Sequence, residues 1–318
     1  MAGDSDEHGR QGLFWLASYP KSGNTWTRAF LASLLSPGDE AVNVNALNIG
    51  SIASSRAWIE EGLGIGVEEL NHDEADALRP RAYKWLAEHD TTGYHKVHDA
   101  WSRLPNGEPL FPPSATRGAV YLARNPLDIV LSWMNHSSIS VEKSIAHLCD
   151  SGHALCRSKR KLANQLRQIH GTWSEHVLGW LDADIPKLVM RYEDIKRDPV
   201  AAFSAIAGFF EIDAGPEEVA VAVNKSRFEN LRRSEEEKGF AEKAPRVRHF
   251  FRKGVVGDWR QVLTPAQVKR VVETNRPGME RLGYLDKRGR PLVRPHSIGI
   301  ATANAARSAL AADTSASV

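Results

Sequence analysis

Lys21, Ser22, Gly23, Asn24 and Thr25 pack a cation, a glycine and three hydrogen-bonding side chains into five consecutive positions. An apolar run, LFWLAS at 13–18, precedes them, and helical spacing follows from about 25 to 35. A buried strand feeding a helix N-terminus through a glycine-containing turn is an anion cradle, because unpaired N–H groups and the helix dipole face the ligand. Lys21 adds a fixed charge. In the magnesium-dependent P-loop, the Lys follows the last glycine and is itself followed by Ser or Thr. Here Lys21 precedes Gly23, and no Gly-Lys-Ser/Thr occurs. The third apolar run also ends in Arg124 rather than an acidic magnesium partner. The expected chemistry is recognition of a phosphate-like group by cations and donors, without a metal.

Two later segments carry similar groups. In YLARNPLDIVLSW (121–133), Arg124 closes an apolar run, Pro126 suits the first turn of a helix, and Ser132 lies about two turns along. A guanidinium and a hydroxyl near one helix suit a terminal phosphate. In FFRKGVVGDWRQVLT (250–264), Arg252 and Lys253 adjoin Gly254, which lets backbone approach a ligand closely. A fourth segment, GYHKVH at 93–98, reads as a strand. Alternation along it sends Lys96 and His98 to one face and His95 to the other. Asp99 is placed to orient His98 or to compete with it.

Positioning these groups requires a scaffold of strands that end where helices begin. LFWLAS (13–18), GYHKVH (93–98), GAVYLA (118–123) and KLVMR (187–191) are strand candidates. Helical patterns follow the first, the third (from Pro126) and the fourth (after Asp198-Pro199). The rhythm predicts an α/β fold, a parallel sheet flanked by helices on both faces. The spacing of Leu162, Leu166, Ile169, Trp173, Val177 and Trp180 predicts one long helix with both tryptophans packed inward. A single domain is expected over 12–286, with loose tails at 1–11 and 287–318.

Composition narrows the function classes. The chain has 318 residues, with 41 Lys and Arg against 39 Asp and Glu. A net charge of +2 argues against a general nucleic-acid or membrane binder. No apolar stretch approaches the roughly 18 residues of a membrane span. Cys149 and Cys156 form no CxxC pair, which suits a reduced, cytoplasmic setting.

Taken together and in order, these segments resemble the PAPS-dependent sulfotransferase family (PAPS is 3′-phosphoadenosine 5′-phosphosulfate), in particular its cytosolic type and bacterial relatives. The family's donor loop reads like YPKSGTTW; here it is Tyr19 to Trp26, with Asn24 for the commoner Thr. Its RNPxDxxxS segment matches Arg124-Asn125-Pro126, Asp128 and Ser132. Its RKGxxGDW loop matches Arg252 to Trp259, and its YED matches Tyr192-Glu193-Asp194. The resemblance spans about 13–284 and implies the P-loop-NTPase-like sulfotransferase fold.

It also implies roles. Lys21, Ser22, Gly23, Asn24 and Thr25 would hold the 5′-phosphosulfate. Trp26 and Phe228 would pack on adenine and Tyr192 would touch its edge; Ser226 stands where the family usually has Thr. Arg124, Ser132, Arg252, Lys253 and Gly254 would hold the 3′-phosphate. His98, in a K-x-H pattern, would be the general base, with Lys21 and Lys96 offsetting charge on the leaving group. The product nucleotide would be adenosine 3′,5′-bisphosphate (PAP), and the acceptor a small molecule or natural product. The stretches 136–161 and 39–60 are candidate acceptor walls, and 232–250 is a candidate lid or a solvated charged loop. The family's dimer motif is degraded: of Arg260, Thr264, Pro265 and Lys269 only Thr264 is kept, so that dimer is not expected. The competing classes are a metal-dependent phosphotransferase and a bisphosphate-nucleotide-binding module without turnover.

Overall fold

The computed structural model describes residues 12–36, 42–47, 49–89, 93–158, 163–244 and 247–296. The expected tail at 1–11, the part of the C-terminal tail beyond 296, and Leu162 lie outside the described residues.

Four strands, β1 (Leu13–Ser18), β2 (Tyr94–Val97), β3 (Thr116–Ala123) and β6 (Lys187–Arg191), form a parallel sheet in the order β2-β1-β3-β6. Two short strands, β4 (Ala154–Leu155) and β5 (Gln168–Ile169), make a separate antiparallel ribbon. Period-two alternation sorts the sheet's side chains between two cores. Leu13, Trp15 and Ala17 of β1 and Ala119, Tyr121 and Ala123 of β3 join one cluster. Phe14, Leu16, Val120 and Leu122 join the other.

Helices cover both faces. The first cluster takes in α2 (Arg56–Leu63), α3 (His72–His89), α4 (Pro126–Ser137), α5 (Val141–Leu148), α6 (Trp173–Asp182), the short α11 (Trp259–Val262) and α12 (Pro265–Arg281). The second is covered by α1 (Asn24–Leu35), α7 (Tyr192–Arg197), α8 (Pro199–Phe209) and α9 (Pro216–Lys225). A third, smaller cluster joins Ala29 of α1 and Val44 to Leu231 of α10 (Phe228–Lys238) and to Phe240 and Phe251. Of the run at 232–250, the residues to Lys238 are therefore helical, and Phe240 and Val247 are buried.

The long helix expected through Leu166, Ile169 and Trp173 is corrected. Helix α6 begins only at Trp173, where the Thr172 side chain and Glu175 form a capping box behind Gly171 at φ 64°. Leu166 is buried in a loop and Ile169 lies in β5, so their apolar spacing serves two elements. Trp173 and Trp180 are buried packing residues, as expected. Thr264, the one residue kept from the dimer motif, caps α12 by accepting from Gln267 N. The chain past 286 is packed as far as 296: Asn125 Nδ2 donates to Leu292 O, and Arg191 Nη1 to His296 O.

A buried ion pair fastens the end of β2. The fully buried Arg79 of α3 grips Asp99 with Nη1 and Nη2 at 3.0 and 2.9 Å. Asp76 also faces the guanidinium, and Tyr83 accepts from its Nε. Asp99→Ala is expected to lower unfolding stability by about 3 kcal/mol, the low end for a broken buried pair because Asp76 remains. Urea denaturation measures it; a loss below about 1 kcal/mol would count against this anchor.

Candidate active site

The turn after β1 puts Lys21 at φ 74° and Gly23 at φ 107°, both in the left-handed region. Lys21 is costly there, and such strain gathers at functional sites. A Cβ at Gly23 would sit 3.0 Å from Tyr192 Cδ2, so glycine is needed for space as well as conformation. Helix α1, like α7, α9 and α10, starts without a side-chain cap, whereas α2, α4, α5, α6, α8 and α12 are capped by Ser55, Asn125, Ser140, Thr172, Asp198 and Thr264. The first N–H groups of α1 are thus left for an external acceptor. They open on a cavity of about 670 Å³.

The ends of β3 and β6 build the next wall. Arg124 lies 4.3 Å from the Tyr192 ring and donates to Lys21 O and Val255 O, both at 3.2 Å. Asn125 caps α4, and its own N–H donates to Glu193 Oε1, which fixes the strand end against α7. Arg252 and Lys253 reach Asp258 at 2.6 and 2.8 Å. Burial works against ionising Asp258, but Lys253 and Arg252 hold its carboxyl below its usual value. Asp128 ties this loop to α4 by accepting from Gly257 N at 2.7 Å. Gly254, at φ 61°, leaves no room for a side chain: a Cβ would fall 2.6 Å from Phe228 Cδ2.

At the other end of the cavity stand Lys96 and His98, while His95 is buried and stacks on Trp58 at 4.3 Å. His98 Nδ1 lies 2.9 Å from Ser18 O. A carbonyl only accepts, so Nδ1 carries the proton and Nε2 keeps its lone pair. Burial, with Lys96 next, pushes His98 well below its ordinary value and keeps it neutral at pH 7. Its backbone is also clamped: Tyr121 Oη donates to His176 Nδ1 at 2.9 Å, and His176 Nε2 donates to His98 O at 3.0 Å. Asp99 does not compete for the His98 ring, because Arg79 holds its carboxylate. Burial, then Lys96 and Arg124, lower Lys21 to about 7, and its Nζ rests 3.8 Å over the Phe250 ring.

The family model described as the sulfotransferase domain matches residues 12–283. The chain belongs to the sulfotransferase family. It is 27% identical over 277 residues to cytosolic sulfotransferase 16 of Arabidopsis thaliana, covering 81% of this chain and 73% of that one. It is 26% identical over 269 residues to sulfotransferase 2A1 of Mus musculus, covering 80% and 79%. Among solved structures, mouse SULT7A1 complexed with PAP aligns with a TM-score of 0.53 at 18% identity, over 88% of each chain. Retinol dehydratase in complex with androsterone and PAP aligns with a TM-score of 0.55 at 19% identity, over 84% of this chain and 80% of that one. These likenesses bear out the parallel sheet flanked by helices as the sulfotransferase fold.

Most of the residues singled out in the sequence meet on this family member's cavity wall: Lys21, Gly23, Asn24, Thr25, Trp26, Lys96, His98, Arg124, Ser132, Tyr192, Phe228, Arg252, Lys253 and Gly254. Ser22 and Ser226 do not. Both are fully buried; Ser226 Oγ donates to Val223 O, and Ser22 Oγ has no partner among the described residues. Asn24 lines the cavity, but its Nδ2 is spent on Leu16 O and Ser18 Oγ. The candidate walls contribute Gly50 and Ile52 from 39–60 and His136, Ser137, Leu155 and Cys156 from 136–161, and the 232–250 run contributes Ala241, Glu242 and Phe250. Residues 37–41, 48, 159–162 and 245–246 lie outside the described residues. Among the described residues no group of three or more His, Cys, Asp or Glu is placed to hold a metal ion, and no helix is long and apolar enough to cross a membrane.

Sequence reasoning missed Arg28 and Glu242 as a pair, together with Gln165 and Gln168. Arg28 lies one helical turn past Asn24, a signal that was available. Glu242 had none, since it is one acid in a mixed charged run. Its carboxylate bridges Arg28 Nη1 at 2.6 Å and Lys96 Nζ at 3.2 Å. Burial opposes its charge, yet Lys96 and Arg28 hold it down at about 2. A depressed carboxyl contributes stability above its unfolded value near 4.5 and loses it as pH falls through the folded one. Wild type should therefore exceed Glu242→Gln by about 1 kcal/mol above pH 4.5, a reduced figure because the carboxylate is partly exposed. In urea unfolding from pH 7 downward, that gap should close as pH approaches 2; a gap constant with pH would show that the pair adds nothing.

Proposed function

We propose that this chain moves the sulfuryl group of PAPS onto an acceptor hydroxyl and releases PAP, with His98 as general base. The observation that carries the reading is the neutral His98 ring, its Nδ1–H committed to Ser18 O, on the same cavity wall as Lys21 and Lys96. The residues present suit the donor. The uncapped start of α1 and Lys21 would take the phosphosulfate end. Arg124, Ser132, Arg252 and Lys253 would take the 3′-phosphate, with Gly254 giving backbone access. Trp26, Tyr192 and Phe228 would flank the adenine. Ser22 and Ser226 would support these loops from behind.

Bound there, PAPS supplies a sulfuryl group already joined to a good leaving group. An acceptor hydroxyl is a weak nucleophile, and His98 Nε2 takes its proton as the oxygen attacks. Lys21 and Lys96 face the side where negative charge grows, inside a cavity that screens it poorly. Lys96 is shared with Glu242 before the donor arrives, so donor binding competes with that carboxylate for the same ammonium.

Two outcomes follow from these roles. PAP should bind more than about tenfold tighter than AMP in calorimetry, since charge-assisted contacts are worth about 1.5–3 kcal/mol each. Equal affinities would remove the 3′-phosphate assignment. His98→Ala should lower turnover by about 10²–10⁴-fold while PAP affinity stays near wild type. His95→Ala serves as the control. A dead His95 variant beside an active His98 variant would reverse the assignment of the base.

A further inference from the structure

The match to the sulfotransferase family model ends at residue 283, and there the chain turns back on itself. Leu285 pairs with Pro291 in antiparallel register, and Leu292 N donates to Tyr284 O at 2.8 Å. Asp286 closes the turn by accepting from Arg288 N, Arg290 N and Arg290 Nε at 2.8, 2.9 and 2.7 Å. An Asp that bonds its own following backbone fixes a turn locally. The hairpin is anchored at both ends: Tyr284 is fully buried, and Arg191 Nη1 donates to Leu282 O and His296 O, each at 2.9 Å.

This hairpin reaches the three chain segments that carry Arg124, Tyr192 and the Arg252–Lys253 pair. Asn125, beside Arg124, divides its amide. Its Oδ1 caps α4 by accepting from Leu127 N, and its Nδ2 donates to Leu292 O, both at 3.0 Å. Glu193, beside Tyr192, accepts from Tyr284 Oη at 2.7 Å and from Asn125 N at 3.0 Å. In the loop after Lys253, Gly257 sits at φ 83°, and a Cβ there would fall 2.5 Å from Val293 Cγ1. Val293 thus fills the space that a side chain on this loop would need. Asn125, Glu193 and Tyr284 are all buried, so their hydrogen bonds are shielded from water and hold their geometry.

No described residue of 284–296 lines the cavity, so the hairpin acts only through the segments it holds. Arg124, Arg252 and Lys253 come from distant parts of the chain and repel one another. A phosphate gripped by all three binds best where their spacing is fixed beforehand. We propose that residues 284–296 are a positioning element for the nucleotide 3′-phosphate. They hold Arg124 and the Arg252–Lys253 loop at the spacing that tells a 3′-phosphorylated nucleotide from one without that group. This rests on the donor reading above.

Hydrogen exchange on the full chain tests the proposal without a substitution. Coupling is reciprocal: a hairpin that tightens the 3′-phosphate site is itself tightened by the 3′-phosphate, by the same factor. The reporters are Leu292 N and His296 N, which donate to Tyr284 O and to Gly283 O at 2.8 and 3.2 Å. Saturating PAP should slow exchange at both by about tenfold, and AMP should leave them unchanged. Calorimetry gives the converse. Asn125→Ser keeps a hydroxyl to cap α4 but loses the donor to Leu292 O. Combined with Val293→Ala, it should lower the preference for PAP over AMP by about tenfold, with AMP affinity within about twofold of wild type. Val293→Ile, which keeps a methyl against Gly257, should bind both nucleotides as wild type does. Exchange that is the same with PAP, AMP or neither overturns the proposal. So does equal weakening of PAP and AMP in the double variant, the mark of a segment that serves the fold alone. If the double variant does not fold, Val293→Ala by itself should cut the preference by about threefold, and an unchanged preference overturns the proposal. A wild type that does not prefer PAP to AMP would instead overturn the donor reading, and this proposal with it.

Discussion

Seven cationic side chains and one carboxylate line a single cavity, and like charges held at one wall repel. Much of the surrounding structure answers that repulsion. Arg124 is spread over the Tyr192 ring and two carbonyls, Lys21 rests on Phe250, and Lys196 lies over Trp26. Arg252 and Lys253 share Asp258, while Arg28 and Lys96 share Glu242. These contacts hold the cations in place before any anion arrives. Lys21 falls to about 7, through burial first and then through the repulsion of Lys96 and Arg124.

The same charge balance couples the two ends of the site. Glu242 belongs to the segment packed on α10 and α1, whereas Lys96 belongs to β2, the strand that carries His98. The described residues of 239–251 are held by Phe240 and Phe251 in the third core and by Glu235, which accepts from Phe250 N and Phe251 N at 2.6 and 3.0 Å. Position is set by apolar burial, and the closing contact is electrostatic. An anion that draws Lys96 away from Glu242 therefore acts on the 239–251 segment and on the strand before His98 together.

His98 shows how little of a side chain's geometry resides in the residue itself. Its tautomer comes from Ser18 O, its backbone position from His176 and Tyr121, and its strand end from Asp99 and Arg79. None of these partners lies within the K-x-H pattern, and all but Asp99 come from other elements. The stability of the fold and the placement of the His98 ring are thus decided by the same buried polar contacts.

Local chemistry was legible in the sequence wherever one element completes it. The strand–turn–helix at 13–35, the Asn125 cap with Pro126, the alternation that separates His95 from Lys96 and His98, and the need for glycine at 23 and 254 are properties of adjacent residues. Their order along the chain was enough to indicate the parallel sheet and the family. Contacts between distant segments were not legible. Leu166 and Ile169 matched a helical period although Gly171 and the Thr172–Glu175 box begin the helix later, because periodicity reports burial and not which element is buried. Glu242 carried no mark of its pairing with Lys96, 146 positions away. Side-chain type and spacing determined what chemistry this chain can perform. Only packing in three dimensions decided which charges meet across the cavity, since that depends on segments that touch solely in the folded state.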